Sequence, residues 1–543
     1  MAIKLDTLYY CRAMKSLLAL IILLALSFAL PLFGLPDFIV ALWPAVCALT
    51  LIVLTKSAAA GLGLGVVSGV ILLNNSTPLE IPRALFADIL FPSLEGSWHL
   101  AALLFTLILG AFAGLLEKSG GFETILKRML AGAKNPQRRL LGSVYVLGLI
   151  CFFDGLANAL LTGRIARPMA DRVGVSRERL AWVVDSTSSP VACVAFVSTW
   201  IATQLSLIEQ GLSAAPFEVS PYQLFFQSIP ANPYCVLTLL LVPAAIFLNY
   251  QPKAMRQYLP QEPDASTPDS AEVSARRAVL PLLVLLLGIF FAFPLLSQPI
   301  PSMLSPEGWK SAFSGDAGPY ALVAGALIGL AAAWLAYPKD RETKVSGAAL
   351  SGAANLLPAL IILILAWSLG NVFVALGAAD QLAQLFSQRV GIDWIPLAVF
   401  LSGAAIAIST GSSWGTMALL MPLALPATLG AAAAQQLSPE LTMTTIPMVI
   451  GAVFGGAVLG DHCSPFSDTT IVSSIAAGCE PVAHVHSQLP FAGMVAILSI
   501  LGYALMALGL HALASTAVGF ILLVVLLARL SRGAPDQESL QEF

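Results

Sequence analysis

Gly460-Asp461-His462-Cys463-Ser464-Pro465-Phe466-Ser467-Asp468-Thr469-Thr470 interrupts a run of apolar and small residues that begins near Ile446 and resumes at Ile471. A run of that length and greasiness predicts a membrane span. Ionisable groups at membrane depth are costly unless hydrated, paired or coordinated, so two aspartates and a histidine there point to function by default. Backbone that leaves the helix at that depth is tolerated only where protein buries it or where it lines a cavity. The stretch therefore predicts a broken helix that holds an ion or polar substrate near the bilayer midplane.

The rest of the chain fits a lipid setting. Its 543 residues are 58% hydrophobic and only 10% charged, with a mean hydropathy of +0.85. A soluble globule carries about 25% charged residues, so the composition predicts a polytopic protein whose main partner is the lipid bilayer, not nucleic acid. The net charge of −3 decides little. Seven cysteines (Cys11, Cys47, Cys151, Cys193, Cys235, Cys463 and Cys479) are scattered singly inside apolar stretches, which predicts free thiols. No P-loop is present, and no cofactor is expected.

Apolar runs predict spans at 16–34, 37–55, 57–73, 98–117, 178–208, 222–249, 278–297, 319–337, 350–376, 445–479, 488–510 and 513–530. The bias of Lys and Arg towards cytoplasmic loops sets their orientation. Lys4, Arg12 and Lys15 place the N-terminus inside, and Lys134, Arg138 and Arg139 follow. Lys253, Arg256, Arg276 and Arg277 join them, as do Lys339, Arg341, Lys344, Arg529 and Arg532. The segments left outside, 209–221 and 431–444, contain neither Lys nor Arg. The parity holds only if 140–169 and 394–430 are re-entrant hairpins. The expected fold is an all-α polytopic membrane protein with about twelve transmembrane helices, two re-entrant hairpins and both termini cytoplasmic.

A polar connector at 250–277 lies near mid-chain, and a duplication flanks it. Ile108 to Gly114 matches Leu365 to Asn371, and Asp154 to Leu161 aligns with Ser412 to Leu419 at a similar offset. Asp185-Ser-Thr-Ser-Ser-Pro190 parallels Asp461 to Pro465. By the charge rule the two halves run in opposite directions, and inverted repeats with interrupted helices are the signature of alternating access. The expected organisation is an N-terminal tail with the first helix (1–36), a first inverted repeat (37–249), a cytoplasmic linker (250–277), a second repeat (278–510), and a last helix with a cytoplasmic tail (511–543).

Four polar interruptions carry the chemistry. The first hairpin tip holds Asp154 and Asn158; the first broken span holds Asp185, Ser186, Thr187, Ser188 and Ser189 up to Pro190. The second tip holds Thr410, Ser412, Ser413 and Thr416; the second broken span holds Asp461, His462, Ser464, Ser467, Asp468 and Thr469. Carboxylate, hydroxyl and carbonyl oxygens are hard donors suited to an alkali cation. Desolvation disfavours a charged carboxylate and a bound cation favours it, so such a site holds a cation or a proton but not both. Asp461 and Asp154 are the leading candidates for that competing role, with Asp185 next, and Na⁺ is the expected ion at all three.

Structural readings stand beside these. Asp468 or Ser467 would serve as a helix cap, Ser186 to Ser189 as packing hydroxyls, and Asp461 and Asp154 as buried hydrogen-bonding groups. His462 reads equally as a polar neighbour of the ion or as a hydrogen-bonded core histidine; with Cys463 it lacks the partner set of a transition-metal site. His484 and His486 titrate in the range of a pH sensor but read as part of a solvated loop. Gly411-Ser412-Ser413-Trp414-Gly415 matches G-x-S-x-G, yet the hydrolase elbow needs a strand before it. A membrane-embedded serine protease pairing Ser413 with His462 is the distant alternative.

At these motifs the chain resembles the NhaC family of sodium/proton antiporters. The resemblance is carried by Phe152-Phe-Asp154 through Asn158-Ala-Leu-Leu, by Ser176-Arg-Glu-Arg-Leu-Ala, by Asp185 to Pro190 and by Thr199-Trp200-Ile201. It continues in Thr410 to Thr416 and Gly460 to Thr470. It implies an inner-membrane exchanger of Na⁺ and H⁺ without covalent chemistry, in a bacterial cell, on a scaffold of paired hairpins and broken helices. Family members often have a second acidic residue after the position of Asp154, where this chain has Gly155. Relatives on the scaffold are also thought to exchange organic acids or drugs, which leaves a Na⁺- or H⁺-coupled carrier of a small organic solute as the alternative. A homodimer is expected only by analogy with related scaffolds.

Overall fold

The computed structural model describes residues 17–532 except 56, 75–76, 214, 216–218, 262–272, 298–299, 302, 304, 306–307, 310, 313–316, 339–342, 379–380, 382–390 and 466. Lys4, Arg12 and Lys15, the centre of the 250–277 linker, Lys339, Arg341 and the tail 533–543 lie outside the described residues.

The first helices are α1 (Leu17–Phe33), α2 (Asp37–Thr55) and α3 (Ala58–Leu73). Short helical turns lead to α4 (Ser97–Ser119), α5 (Gly121–Leu130), α6 (Pro136–Ile150), α7 (Gly155–Val173), α8 (Arg177–Val194) and α9 (Thr199–Gly211). Next come α10 (Pro221–Ser228), α11 (Pro233–Phe247), α12 (Arg276–Leu296), α13 (Gly318–Ala336), α14 (Val345–Ala354) and α15 (Leu357–Ala375). The chain closes with α16 (Ile395–Thr410), α17 (Ser413–Ala434), α18 (Pro439–Cys463), α19 (Asp468–Ala477), α20 (Pro481–Ala507) and α21 (Ala512–Arg532). Among the described residues ten helices are long and apolar enough to cross a membrane, or up to twelve if each bent pair is one span. The chain is an all-α, multi-pass membrane protein.

Its centre is α18. The apolar window of α18 is 83% buried, whereas that of α21 is 28% buried and shows Leu513, Ile521 and Val525 on its outside. Glycines let neighbours approach α18 from two sides. A Cβ on Gly456 would stand 2.7 Å from the Phe400 carbonyl, and one on Gly460 would collide with Ala407, both on α16. On another face a Cβ on Gly451 or Gly455 would run into Ala231 or Asn232. Small residues four apart permit such close crossings in lipid, where packing rather than water expulsion holds helices together.

Among the described residues four breaks interrupt the helices near this core, besides the Gly411–Ser412 connection between α16 and α17. One, at Ser464–Ser467 between α18 and α19, falls inside the stretch from Gly460 to Thr470. The others separate α6 from α7 at Cys151–Asp154, α8 from α9 at Ala195–Ser198 (a 43° bend), and α10 from α11 at Ile229–Asn232 (a 49° bend). Two of these correct the sequence reading. Asp185 to Pro190 is helical throughout, and the break comes five residues after the proline. Thr187 and Ser188 donate to carbonyls of the preceding turn, and Pro190 removes one backbone N–H without ending the helix. The Ser198 hydroxyl then bridges the true break, donating to the Ala192 carbonyl and accepting from the Ile201 N–H. The expected single span at 222–249 is also broken: Asn232 accepts from the Cys235 N–H and starts α11 with Pro233.

Candidate functional site

Asp461 sits in the last turn of α18 and is wholly buried. Its carboxylate accepts two hydroxyls: Ser467, from the break that follows, at 2.8 Å, and Ser189, on α8, at 3.0 Å. Thr470, in the first turn of α19, donates to the Asp461 carbonyl at 2.6 Å, and its oxygen lies 3.5 Å from Asp185 Oδ2. No arginine or lysine is bonded to the carboxylate, so its partners among the described residues are neutral.

Asp185 is one turn before Ser189 on α8 and is also wholly buried. It gathers groups from two further helices: the Ser473 hydroxyl of α19 at 3.2 Å, the Gln488 amide of α20 at 2.9 Å, and His484 Nε2 of α20 at 3.3 Å. Gln488 donates its second N–H to the His462 carbonyl at 2.8 Å. His484 thereby contradicts the solvated-loop reading. It is buried because α20 begins at Pro481, seven residues before the expected start of the span, which turns positions 484, 488, 491 and 495 inward on one face. His486 stays exposed, its ring beside Gln257.

Asp154 caps α7. Its Oδ1 accepts the Ala157 N–H at 2.7 Å, and its Oδ2 accepts the Thr199 hydroxyl at 2.7 Å. Asn158, one turn on, donates to the carbonyls of Gly148 and Thr187 and so ties α6, α7 and α8 together. Asp468 is at the N-terminal turn of α19 and exposed, and its carboxylate accepts the N–H of its neighbour Thr469. The capping reading fails for Ser467, whose hydroxyl is committed to Asp461 and makes no cap bond; Thr469 Oγ1 lies 3.3 Å from that hydroxyl.

The stretch from Thr410 to Thr416, between α16 and α17, lies alongside, with the Trp414 ring 5.7 Å from that of Trp200. Most of its polar groups are used locally. Ser412 caps α17 through the Gly415 N–H, Thr416 donates to the Ser412 carbonyl, and Thr410 accepts the Ser412 N–H. Among the described residues Ser413 Oγ is left without a partner, as are Ser464 Oγ and Asn158 Oδ1, all buried. Ser413 and His462 do not bond each other: His462 Nδ1 is 2.9 Å from the Tyr234 hydroxyl and its Nε2 has no partner. The dyad of a serine protease is therefore not assembled. Ser186 lines a cavity of about 10 Å³ with Tyr234, His462 and Gln488, room for about one water molecule. Among the described residues no three His, Cys, Asp or Glu side chains cluster as a metal site. A cation here would take most of its donors from hydroxyl, amide and carbonyl oxygens.

Six contributors were missed by the sequence reading of the site: Thr199, Tyr234, Thr470, Ser473, His484 and Gln488. The spacing of His484, Gln488, Phe491 and Val495 is a helical face that would have found the last two.

Residues 191–508 match the Na+/H+ antiporter family model. That range includes Thr410 to Thr416 and Asp461 to Thr469, whereas Asp154 and Asp185 precede it. The chain is 28% identical to an uncharacterized protein of Haemophilus influenzae over 524 residues, covering 92% of this chain and 98% of the relative. It is 29% identical to the malate-2H+/Na+-lactate antiporter of Bacillus subtilis over 152 residues, 27% of this chain and 29% of that one. The YdaH transporter of Alcanivorax borkumensis shares the fold, with a TM-score of 0.56 at 15% identity over 83% of this chain and 97% of its own. With more than half of its length matched by that model and its helices arranged like those of a solved transporter, the chain belongs to the Na+/H+ antiporter family.

Proposed function

We propose that the protein exchanges Na⁺ for H⁺ across a bacterial inner membrane by alternating access. In this reading, Asp461 and Asp154 hold a cation or a proton by turns, and Asp185 assists. The observation that carries the reading is the surrounding of Asp461: a fully buried carboxylate with two hydroxyl partners and, among the described residues, no cationic one. A buried carboxylate without a counter-charge is driven to neutrality, by a proton or by a bound cation. The two ions then exclude each other from one site, which is the condition for obligatory exchange. Ser413 Oγ, Ser464 Oγ and Asn158 Oδ1, buried and without a partner among the described residues, are oxygens of the hard type that Na⁺ prefers. The four helix breaks supply the irregular backbone around which two halves of a transporter rock.

Exchange of an organic solute on the same scaffold is the second reading, favoured by the local similarity to the malate-2H+/Na+-lactate antiporter. The cavity beside His462 weighs against it. Small-molecule sites run to about 300 Å³ or more, against about 10 Å³ here. The two readings separate in everted membrane vesicles in which a dye follows a respiration-driven pH gradient. Collapse of the gradient on adding Na⁺ supports Na⁺/H⁺ exchange. Collapse by an organic acid alone, with Na⁺, Li⁺ and K⁺ inert, would replace it with the second reading.

A further inference from the structure

Arg177 and Arg179 are two residues apart at the start of α8 but have opposite surroundings. Arg177 is neutralised: its Nη2 lies 3.1 Å from Asp171, and its Nη1 donates to the Gly478 carbonyl. Arg179 is only 4% exposed, and among the described residues no carboxylate pairs with it. Its Nη2 reaches the neutral Asn249 side chain at 3.4 Å, and its Nε–H has no acceptor. Arg138 stands near enough for the two positive charges to repel. Burying a guanidinium costs free energy that an opposite charge and full hydrogen bonding must offset. Among the described residues neither is present.

Arg179 lines a cleft of about 150 Å³ with Gln137, Ser176, Gln251, Arg256 and Tyr258. Arg256 is held at the other side by its own Nε–H, which donates to the Gln251 carbonyl. Among the described residues the lining contains two guanidinium groups, several neutral polar side chains and no Asp or Glu. A cleft of this composition at the end of a transmembrane helix, on the face rich in Lys and Arg, attracts anions. Guanidinium groups match the geometry of phosphate and carboxylate oxygens.

We propose that this cleft is an anion-binding site, separate from the aspartates of the exchange site, whose ligand is a phosphate group. That group belongs either to the headgroup of an anionic phospholipid or to a free phosphate. Bound there, the anion accepts from the orphaned Nε–H of Arg179 and bridges it to Arg256, and so pins the start of α8 to the segment after α11. Because α8 carries Asp185 and Ser189, occupancy steadies the helix that delivers both to the exchange site.

The test uses the full-length purified protein, stripped of lipid in neutral detergent. Native mass spectrometry with added phosphatidylglycerol, and phosphatidylcholine as the control, tests the headgroup; thermal stability titrated with inorganic phosphate tests the free anion. Retention of phosphatidylglycerol over phosphatidylcholine assigns the headgroup, and saturable stabilisation by phosphate assigns the free anion. In either case Arg179→Gln and Arg256→Gln should each weaken binding about tenfold, the loss expected for one charge-assisted contact. The half-buried Arg256 tests the site even if replacing Arg179 prevents folding. Failure of both probes to bind, or binding that Arg256→Gln leaves unchanged, overturns the proposal.

Discussion

Ser189 and Ser467 hold the two oxygens of Asp461 at 3.0 and 2.8 Å, and the properties of that carboxylate depend on them. Asp461→Asn keeps the shape and removes the exchangeable charge. Dye-monitored exchange in vesicles should fall to background while the amount of inserted protein stays at the wild-type level. Ser189→Ala takes away one hydroxyl and leaves the acid. A hydrogen bond to a charged group contributes about 1.5–3 kcal/mol, so the Na⁺ concentration for half-maximal exchange should rise at least about tenfold. An unchanged value would show that the bond is not part of cation binding. The sequence made Asp461 legible because an acid inside a run of apolar residues has few structural excuses. It hid His484 and Gln488 because Cys479, Glu480 and Pro481 resemble a loop, although that proline opens a helix whose buried face both residues share.

At the scale of helices, the site depends on α16 and α18 crossing closely enough to bring the last turn of α18 against the core. A Cβ at Gly460 would collide with the Ala407 side chain and lie 2.6 Å from its backbone carbon, which a flexible side chain cannot relieve. Overpacking of this kind costs about 1–3 kcal/mol. Gly460→Ala should therefore lower the unfolding temperature of purified protein, whereas Gly493→Ala, whose Cβ meets no atom within 4 Å, should not. The breaks were read with mixed success for a physical reason. Ser464 and Pro465 follow the end of α18, and Ser467 then folds back onto Asp461 in its last turn. Pro190 sits inside α8, which runs on to Val194 with the loss of a single N–H. Composition marks both stretches as polar interruptions and does not separate a proline carried inside a helix from one that follows its end.

For the whole molecule, hydropathy made the all-α, many-span architecture legible, since spans are long and lipid permits few alternatives. The re-entrant course of 140–169 and 394–430 and the inverted relation of the two halves rest on charge bias and remain proposals. They carry a topological test. Cysteines placed at Lys134 and Arg529 should react with an impermeant maleimide only from the cytoplasmic side, and one at the exposed Ser213 only from outside. Labelling of 134 and 213 from the same side would break the parity. The central claim is that Na⁺ and H⁺ compete for one set of buried carboxylates. Its most direct test is proton release from purified protein in weakly buffered detergent on adding Na⁺, followed with a pH indicator. The account predicts saturable release from the wild type and none from Asp461→Asn. Na⁺ binding without proton release, or equal release from both proteins, would contradict it.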